Sequence, residues 1–141
     1  MAYRGQTAVV FTDGSCKNQG FTNAKAGYGV FWAEGHSNNR SGAVTGRQNS
    51  NRAELFAAAE AIKTAVQQGY STINIISDST YVRQAVTNPA GYQTHEDSDL
   101  VQSIASLKNR IVINVQKVEG HAGSVGNKKA DALARAGADS H

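Results

Sequence analysis

The hydrophobic periodicity of the chain changes at Asn51. Before this residue, three short β-branched and aromatic runs, separated by glycine, serine and asparagine, are typical of strands: 7–12, 27–33 and 41–46. After it, apolar residues recur at helical spacing as far as Gly69, a natural C-terminal stop. Three successive strands followed by a long helix predict an antiparallel meander that packs against that helix.

The rest of the chain alternates between strand-like and helix-like spacing of apolar residues. Strand-like runs cover 72–77 and 111–118, and helical patterns cover 79–87, 98–109 and 125–138. This order predicts an α/β fold with a mixed five-stranded sheet, three antiparallel strands and then parallel ones, flanked by helices.

The composition narrows the class of protein. The 141 residues, 40% of them hydrophobic, are enough for one core and too few for two, so we expect residues 1–141 to form a single domain. The net charge of +3 and the pI of about 9.1 favour an anionic partner. The single cysteine, Cys16, has no internal disulfide partner, and the first residues lack the apolar run of a signal peptide or membrane span. We expect a soluble intracellular protein without a membrane partner, in a compartment that the sequence does not specify.

Four carboxylates lie at informative places in this pattern. Asp13 ends the first predicted strand, Glu54 lies in the first turn of the long helix, Asp78 ends the fourth strand and Asp131 lies inside the last helix. Each alone has an ordinary explanation as a turn residue, a cap or, for the last, an i,i+4 ion pair with Arg135. Together, they can converge on the crevice where open α/β sheets bind ligands.

Convergence of these acids predicts a metal site. Packed carboxylates repel one another unless protons or cations neutralise them. Oxygen ligands with no cysteine and few histidines nearby favour Mg²⁺ or Mn²⁺ over zinc. Mg²⁺ held by carboxylates, water and phosphate oxygens is the usual arrangement for phosphoryl chemistry, and a two-metal site spaces its ions roughly 3.5–4 Å apart.

The four acids fall in four separated blocks of sequence: FTDGSC, NRAELFAAAEAI, IISDSTYV and VEGHAGSVGNKKADALARAGA. In order and spacing these blocks closely resemble those of ribonuclease H, type 1, from about Ala8 to Ala138. The segments AGYGVFWAEGH and TGRQNSNRAEL are most similar to the eukaryotic branch. The resemblance implies a ribonuclease H-like fold and a metal-dependent endoribonuclease that hydrolyses the RNA strand of RNA/DNA hybrids, leaving 5′-phosphate and 3′-hydroxyl ends.

The resemblance also implies a role for each acid and for one histidine. Two Mg²⁺ ions, for which Mn²⁺ can substitute, would be held by Asp13, Glu54, Asp78 and Asp131. Asp13 would bridge both ions, Asp131 would complete the site of the ion that activates water, and Glu54 with Asp78 would hold the second. His121 matches the mobile histidine of the family, and its pKa near working pH suits it to shuttle protons or to assist product release.

Contacts with the hybrid are implied after Asp13 and at the start of the long helix. Distinguishing RNA from DNA requires contact with the 2′-hydroxyl. The residues implied for hybrid contact are Gly14, Ser15, Cys16, Gln19, Arg47, Asn49, Ser50 and Asn51. Arg47 and Asn49 match positions that grip a phosphate of the DNA strand, where the helix N-terminus adds a favourable dipole. Asn51 also suits the N-cap of the helix, and Ser50 and Gln19 replace common asparagines, which predicts looser hybrid discrimination.

The segment after Asp78 departs from the family pattern. Many cellular members carry a basic, tryptophan-containing protrusion there, whereas residues 83–102 have no tryptophan, one arginine and an acidic cluster, Glu96, Asp97 and Asp99. No separate hybrid-binding module is expected in the chain. We therefore expect a monomer with modest, salt-dependent affinity for RNA/DNA hybrids, tethered to or assisted by another nucleic-acid-binding domain.

Alternatives stay open for the function and for one aromatic residue. The chain could be a non-catalytic domain that binds RNA/DNA hybrids, although the four intact acids argue against this. It could also be the ribonuclease H domain of a reverse transcriptase or retroelement polyprotein that needs a partner. Tyr81 suits either stacking on a deoxyribose or packing in the core.

Overall fold

The computed structural model of the protein describes residues 5–92, 95–118 and 125–141. Within these ranges the strands are β1 Thr7–Lys17, β2 Lys25–Phe31, β3 Arg40–Ala43, β4 Thr72–Ile76 and β5 Val112–Gln116. The helices are α1 Ser50–Gln67, α2 Thr80–Thr87, α3 Ser98–Leu107 and α4 Val125–Asp139, with a short 3-10 helix at Pro89–Tyr92 between α2 and α3. None of these helices is both long enough and apolar enough to cross a membrane.

The strands form one mixed sheet in the order β3-β2-β1-β4-β5. β1 pairs antiparallel with β2, and β2 pairs antiparallel with β3. β4 runs parallel to β1, and β5 runs parallel to β4. The predicted α/β fold, with three antiparallel strands and then parallel ones, is confirmed.

β1 continues past Asp13, so the predicted strand end and turn at this residue are wrong. The parallel pairing of β1 with β4 stops at Phe11, opposite Ile76, but the antiparallel pairing with β2 continues to Lys17. Asp13 is a strand residue opposite Gly29. An Asp-Gly pair favours a turn locally, but the ladder with β2 overrides that preference.

β3 is shorter than the sequence predicts. It ends at Ala43 and not at Gly46. Gly46 has a positive φ of 83°, which turns the chain out of the strand and toward α1. The side chain of Gln48 holds this connection, because it donates to the carbonyl of Val44 at 2.7 Å and accepts from the amide of Ala26 at 2.6 Å.

α1 fills the main core on one face of the sheet. Its buried residues are mostly small: Ala53, Leu55, Ala57, Ala58, Ala59, Ala61, Ile62 and Ala65. All of them except Ala53 belong to one cluster with Val10 of β1 and with Ile73 and Ile75 of β4, and Ala53 packs with Ala26 and Val44. Short alanine side chains allow the helix to lie close to the strands, which brings the residues at its N-terminal end near the end of β4.

α4 covers the opposite face of the sheet. Strand alternation directs Phe11 away from the side of β1 that faces α1, and Phe11 lies against Gly126 at the start of α4. On β2, a Cβ added to Gly29 would lie 2.6 Å from the amide nitrogen of Ala134. The missing side chain of Gly29 therefore lets α4 approach the sheet, and this approach fixes the position of Asp131 relative to β1.

Candidate active site

Asp13 and Asp78 lie just past the point where the parallel pairing of β1 with β4 stops. The last parallel pair of β1 and β4 joins Phe11 to Ile76, and each aspartate lies two residues further along its own segment. Ser79, not Asp78, caps α2 through its hydroxyl. The carboxylate of Asp78 is exposed and is not needed for capping, so it is available to a ligand.

Glu54 reaches the same place from α1. It lies in the second turn of the helix and not in the predicted first turn, because α1 begins at Ser50. Gly14 of β1 packs against this turn so closely that an added Cβ would lie 2.6 Å from the carbonyl carbon of Ala53. The close approach of β1 and α1 at Gly14 brings Glu54 next to Asp13.

Asp13, Glu54 and Asp78 form a tight carboxylate group. One ligand oxygen from each residue lies within 4.8 Å of those of the other two. Oε2 of Glu54 is buried and has no hydrogen-bond partner among the residues that the structure describes. A buried carboxylate oxygen without a donor is unfavourable unless a proton or a cation neutralises it, so this all-oxygen donor set fits a hard cation such as Mg²⁺ or Mn²⁺.

The electrostatics of the group favour a bound cation. Burial raises the pKa of Glu54 above its ordinary value of 4.5, and the charges of Asp13 and Asp78 raise it further. Burial also raises the pKa of Asp13 above 3.8, although hydrogen bonds from Glu54 and from the amide of Gly14, at 2.9 Å, oppose the shift. Without metal, the group therefore retains a proton on Glu54 at neutral pH, and a cation would displace that proton.

Asp131 on α4 is the fourth predicted acid. It lies close enough to Asp13 to raise the pKa of Asp13 by charge repulsion and by a hydrogen bond, but it is not part of the tight carboxylate group. Arg135 approaches it with Nε 3.1 Å from Oδ2, which confirms the i,i+4 ion pair. All four predicted acids therefore meet at one end of the sheet. His121 lies outside the described residues, and its role stays a prediction.

The family model described as RNase H matches residues 5–139. The chain belongs to the ribonuclease H family. It is similar to ribonuclease H1 of Rattus norvegicus, with 36% identity over 148 residues that cover 97% of this chain and 52% of the relative. The chain spans about half the length of this and of two other mammalian ribonucleases H1 that it matches. The predicted resemblance to ribonuclease H, type 1, is confirmed.

Solved structures of ribonucleases H share the fold. The crystal structure of RNase H1 from Halobacterium salinarum has a TM-score of 0.70 at 21% identity, and the match covers 96% of this chain and 99% of that one. The prototype foamy virus protease-reverse transcriptase has a TM-score of 0.73 at 26% identity, and the match covers 92% of this chain and 20% of that one. The fold therefore resembles both a ribonuclease H of similar size and part of a much longer viral protein.

Beside these acids, a concavity of about 390 Å³ lies at the N-terminal end of α1. We call it the helix-end concavity, and its lining residues are Gln19, Gly20, Phe21, Arg47, Gln48, Asn49, Ser50 and Asn51. Five of the eight predicted hybrid-contact residues belong to it: Gln19, Arg47, Asn49, Ser50 and Asn51. Ser50 and Asn51 also line a second concavity of about 250 Å³ with Glu54 and Asp78. These two residues therefore connect the acids to the helix-end concavity.

Two of the predicted contact residues also hold the start of α1. Asn49 caps the helix by accepting from the amide of Arg52 at 2.8 Å, so the prediction of Asn51 as N-cap is wrong. The Gln19 side chain accepts from the amide of Ser50 at 2.8 Å. Asn51 is exposed, and its side chain is left for a ligand.

The other three predicted contact residues lie in β1 and do not line the helix-end concavity. Gly14, Ser15 and Cys16 pair with β2 and are not loop residues. Cys16 packs against Ala26 and Ala53, and burial raises the pKa of its thiol, which favours a packing role over nucleophilic chemistry. Gly14 acts on the site through its close approach to α1.

A buried ion-pair network next to the site is not predicted by the sequence. Arg52 is 5% exposed and donates to Asp97 at 3.1 Å and to both carboxylate oxygens of Asp99 at 2.9 and 2.8 Å. Its Nε donates to the carbonyl of Thr45 at 2.7 Å. Asp97 also accepts from the hydroxyl of Tyr81, whose pKa is raised by burial and by this bond. The acidic cluster that replaces the family's basic protrusion is thus anchored on α1.

Proposed function

We propose that the chain is an endoribonuclease that hydrolyses the RNA strand of RNA/DNA hybrids. The observation that carries the proposal is the tight group of Asp13, Glu54 and Asp78, with a buried Glu54 oxygen that no donor in the described part of the chain satisfies. Membership of the ribonuclease H family supplies the substrate class. The helix-end concavity lies directly beside this group and supports binding of a polyanion there.

The four acids would hold two Mg²⁺ ions, or Mn²⁺ in their place. Asp13 would contact both ions, Glu54 and Asp78 would hold one of them, and Asp131 would complete the site of the other. Bound ions lower the pKa of an attacking water and stabilise the charge on the phosphorus and on the leaving 3′-oxygen. The products would carry 5′-phosphate and 3′-hydroxyl ends.

The protein's own residues would position the two strands of the hybrid. Arg47 and the N-terminal end of α1 offer positive charge to a phosphate of the DNA strand. Asn51, which lines both concavities, is exposed beside the acids and suits the RNA 2′-hydroxyl, which both donates and accepts hydrogen bonds. Gln19 and Asn49 keep the start of α1 in place for these contacts.

We also propose that this domain acts as a monomer and gains affinity from another nucleic-acid-binding domain. The segment that follows α2 carries acids instead of the basic residues found in many relatives, and Arg47 already has an intramolecular partner in Glu96. With acids in this segment and Arg47 already paired, hybrid affinity should be modest and should fall steeply with salt.

Cleavage of end-labelled RNA tests the proposed function. The RNA is paired with DNA and incubated with Mg²⁺ or with a chelator, beside RNA/RNA and DNA/DNA duplexes of the same sequence. We expect Mg²⁺-dependent cutting of the RNA strand of the hybrid alone, and ligation of the products would establish their end groups. Hybrid binding without cutting under any metal condition would instead identify a non-catalytic binding domain.

A second candidate is the ribonuclease H domain of a reverse transcriptase. It is favoured by the structural similarity to the foamy virus protease-reverse transcriptase, at a TM-score of 0.73, and by the missing basic protrusion. Such a domain would cut hybrids weakly by itself and strongly when joined to a hybrid-binding domain. Fusion of a nucleic-acid-binding domain should lower KM in either case, so the kcat of the unfused chain separates the two candidates. Efficient cleavage by the unfused chain at saturating hybrid favours the free-standing enzyme, and cleavage that appears only after fusion favours the reverse transcriptase domain.

A further inference from the structure

Arg47 and Glu96 form an ion pair at the rim of the helix-end concavity. NH1 of Arg47 contacts Oε2 of Glu96, and both side chains are more than half exposed. A carboxylate and a phosphate present similar oxygens to a guanidinium. The Glu96 carboxylate therefore holds a position on Arg47 that an oxygen of a bound phosphate would need.

The residues on either side fix Glu96 in this place. Asp97 is buried and bonded to Arg52 and Tyr81, and Asp99 makes a two-oxygen contact with the same Arg52. His95 packs against Tyr81, with ring centroids 5.9 Å apart. Because the backbone on both sides of Glu96 is anchored to α1 and α2, the carboxylate is presented to Arg47 by a held segment.

Arg47 is the source of positive side-chain charge in the helix-end concavity. The other seven described lining residues are uncharged: Gln19, Gly20, Phe21, Gln48, Asn49, Ser50 and Asn51. Pairing with Glu96 therefore cancels the formal side-chain charge of this surface. A nucleic acid that binds here competes with Glu96 for the charge and the NH1 donors of Arg47.

We propose that Glu96 is a built-in competitor that weakens binding of the substrate's phosphate to Arg47. The inference rests on the proposed function, since it names a residue that limits substrate affinity at the same site. An exposed ion pair is weak and changes an equilibrium constant by up to about fivefold. Glu96 therefore tunes affinity without blocking the site, and it acts through Arg47 without touching the reacting atoms.

The Glu96→Gln variant tests this competition, because it removes the charge and leaves the anchors Asp97 and Asp99 in place. We expect it to bind a fluorescein-labelled RNA/DNA hybrid about two- to fivefold more tightly in chelator, and to lower KM by a similar factor with kcat unchanged in Mg²⁺. Glu34→Gln is the matched control, since Glu34 is exposed and pairs with Lys129 at 3.3 Å. Equal tightening by both variants would show a general charge effect and would overturn the proposal.

An Arg47→Ala background gives the second test. If Glu96 acts through Arg47, then Glu96→Gln has no further effect on hybrid binding once Arg47 is alanine. A gain of the same size in both backgrounds would reject the competition. Equal melting temperatures for the four proteins of this cycle show that changes in folding do not produce the result.

Failure of this inference can be separated from failure of the proposed function. Cleavage of the hybrid by the unaltered chain tests the proposed function alone. The ratio of the affinities of the unaltered chain and of Glu96→Gln tests the competition by Glu96. A labelled DNA duplex in chelator supplies phosphates without any RNA strand to cut. Tighter DNA binding by Glu96→Gln, in a chain that cuts no hybrid, would retain the competition and reject the proposed function. If the chain cuts the hybrid but Glu96→Gln leaves DNA and hybrid binding unchanged, the proposed function is retained and the competition is rejected.

Discussion

Gly14 of β1 lies against the backbone of Ala53 in α1, at the point where the strand and the helix bring their acids together. A Cβ on Gly14 would lie 2.6 Å from the carbonyl carbon and 2.7 Å from the Cβ of Ala53. Asp13 is the residue before Gly14, and Glu54 is the residue after Ala53. The separation of these two carboxylates therefore depends on a glycine that has no role in binding metal.

Replacing Gly14 with alanine should move α1 away from β1 and separate Asp13 from Glu54. We expect a loss of about 1–3 kcal/mol of unfolding free energy, typical of overpacking, and a larger proportional loss of hybrid cleavage. Denaturant unfolding and cleavage rates measure the two effects. Gly91→Ala is the control, because among the described residues its added Cβ would meet only the side chain of Asn88, at 3.1 Å, and it should change both values little.

Asp97 and Asp99 share Arg52 but should differ in their importance for stability. The side chain of Asp97 is 3% exposed and that of Asp99 is 61% exposed. Asp97→Ala leaves the buried Arg52 with Asp99 as its acidic partner and takes the Asp97 acceptor away from the Tyr81 hydroxyl, so it should lower the unfolding free energy by about 1–3 kcal/mol. Asp99→Ala should cost about 1 kcal/mol or less, since solvent screens that pair. Urea unfolding of the two variants checks the order, and equal losses would contradict it.

The metal-free protein should become less stable as the pH rises. The pKa values of Glu54 and Asp13 are raised by folding, so the folded state binds more protons than the unfolded state above their ordinary values of 4.5 and 3.8. Stability is then greatest below these values and is lost with increasing pH, for Asp13 up to about 6 and for Glu54 beyond neutrality. Melting temperatures measured in chelator across this range test the sign.

Mg²⁺ should reverse this trend, because a bound cation replaces the proton that the acids retain. The stabilisation by Mg²⁺ should therefore increase from acidic to neutral pH. Glu54→Gln removes the main titrating group and should flatten the metal-free profile. A Mg²⁺ effect that is independent of pH, or an unchanged profile in Glu54→Gln, would show that the acids do not bind the ion in this way.

The order of the strands and helices and the positions of the four acids could be predicted, because both depend on patterns within short stretches of sequence. The change of period at Asn51 marks the boundary between the strands and α1, and the acids belong to blocks that resemble a known family. The length of β1 could not be predicted in this way. Its last residues are held by the ladder with β2, whose register depends on residues far away in sequence, and this pairing overrides the turn preference of Asp13 and Gly14.

The helix cap and the buried network cannot be predicted from local sequence, for related reasons. Asn49, Ser50 and Asn51 are all good N-cap residues, and the choice depends on Gln19, a distant residue that binds the amide of Ser50. Arg52 and its partners are more than forty residues apart in sequence. No periodicity pairs residues at that separation, so charge patterning indicated only that an acidic cluster exists.

The most direct measurement is single-turnover cleavage of an RNA/DNA hybrid in Mg²⁺ by the Asp78→Asn variant. Asp78 is exposed and caps no helix, so the substitution should leave the chain folded and able to bind the hybrid. Asp139→Asn, which removes an exposed acid that pairs with Lys17 on the surface, is the control. We predict that Asp78→Asn lowers the cleavage rate at least about 100-fold and that the control cuts normally. Cleavage by Asp78→Asn at a rate close to that of the unaltered chain would contradict a catalytic role for the carboxylate group.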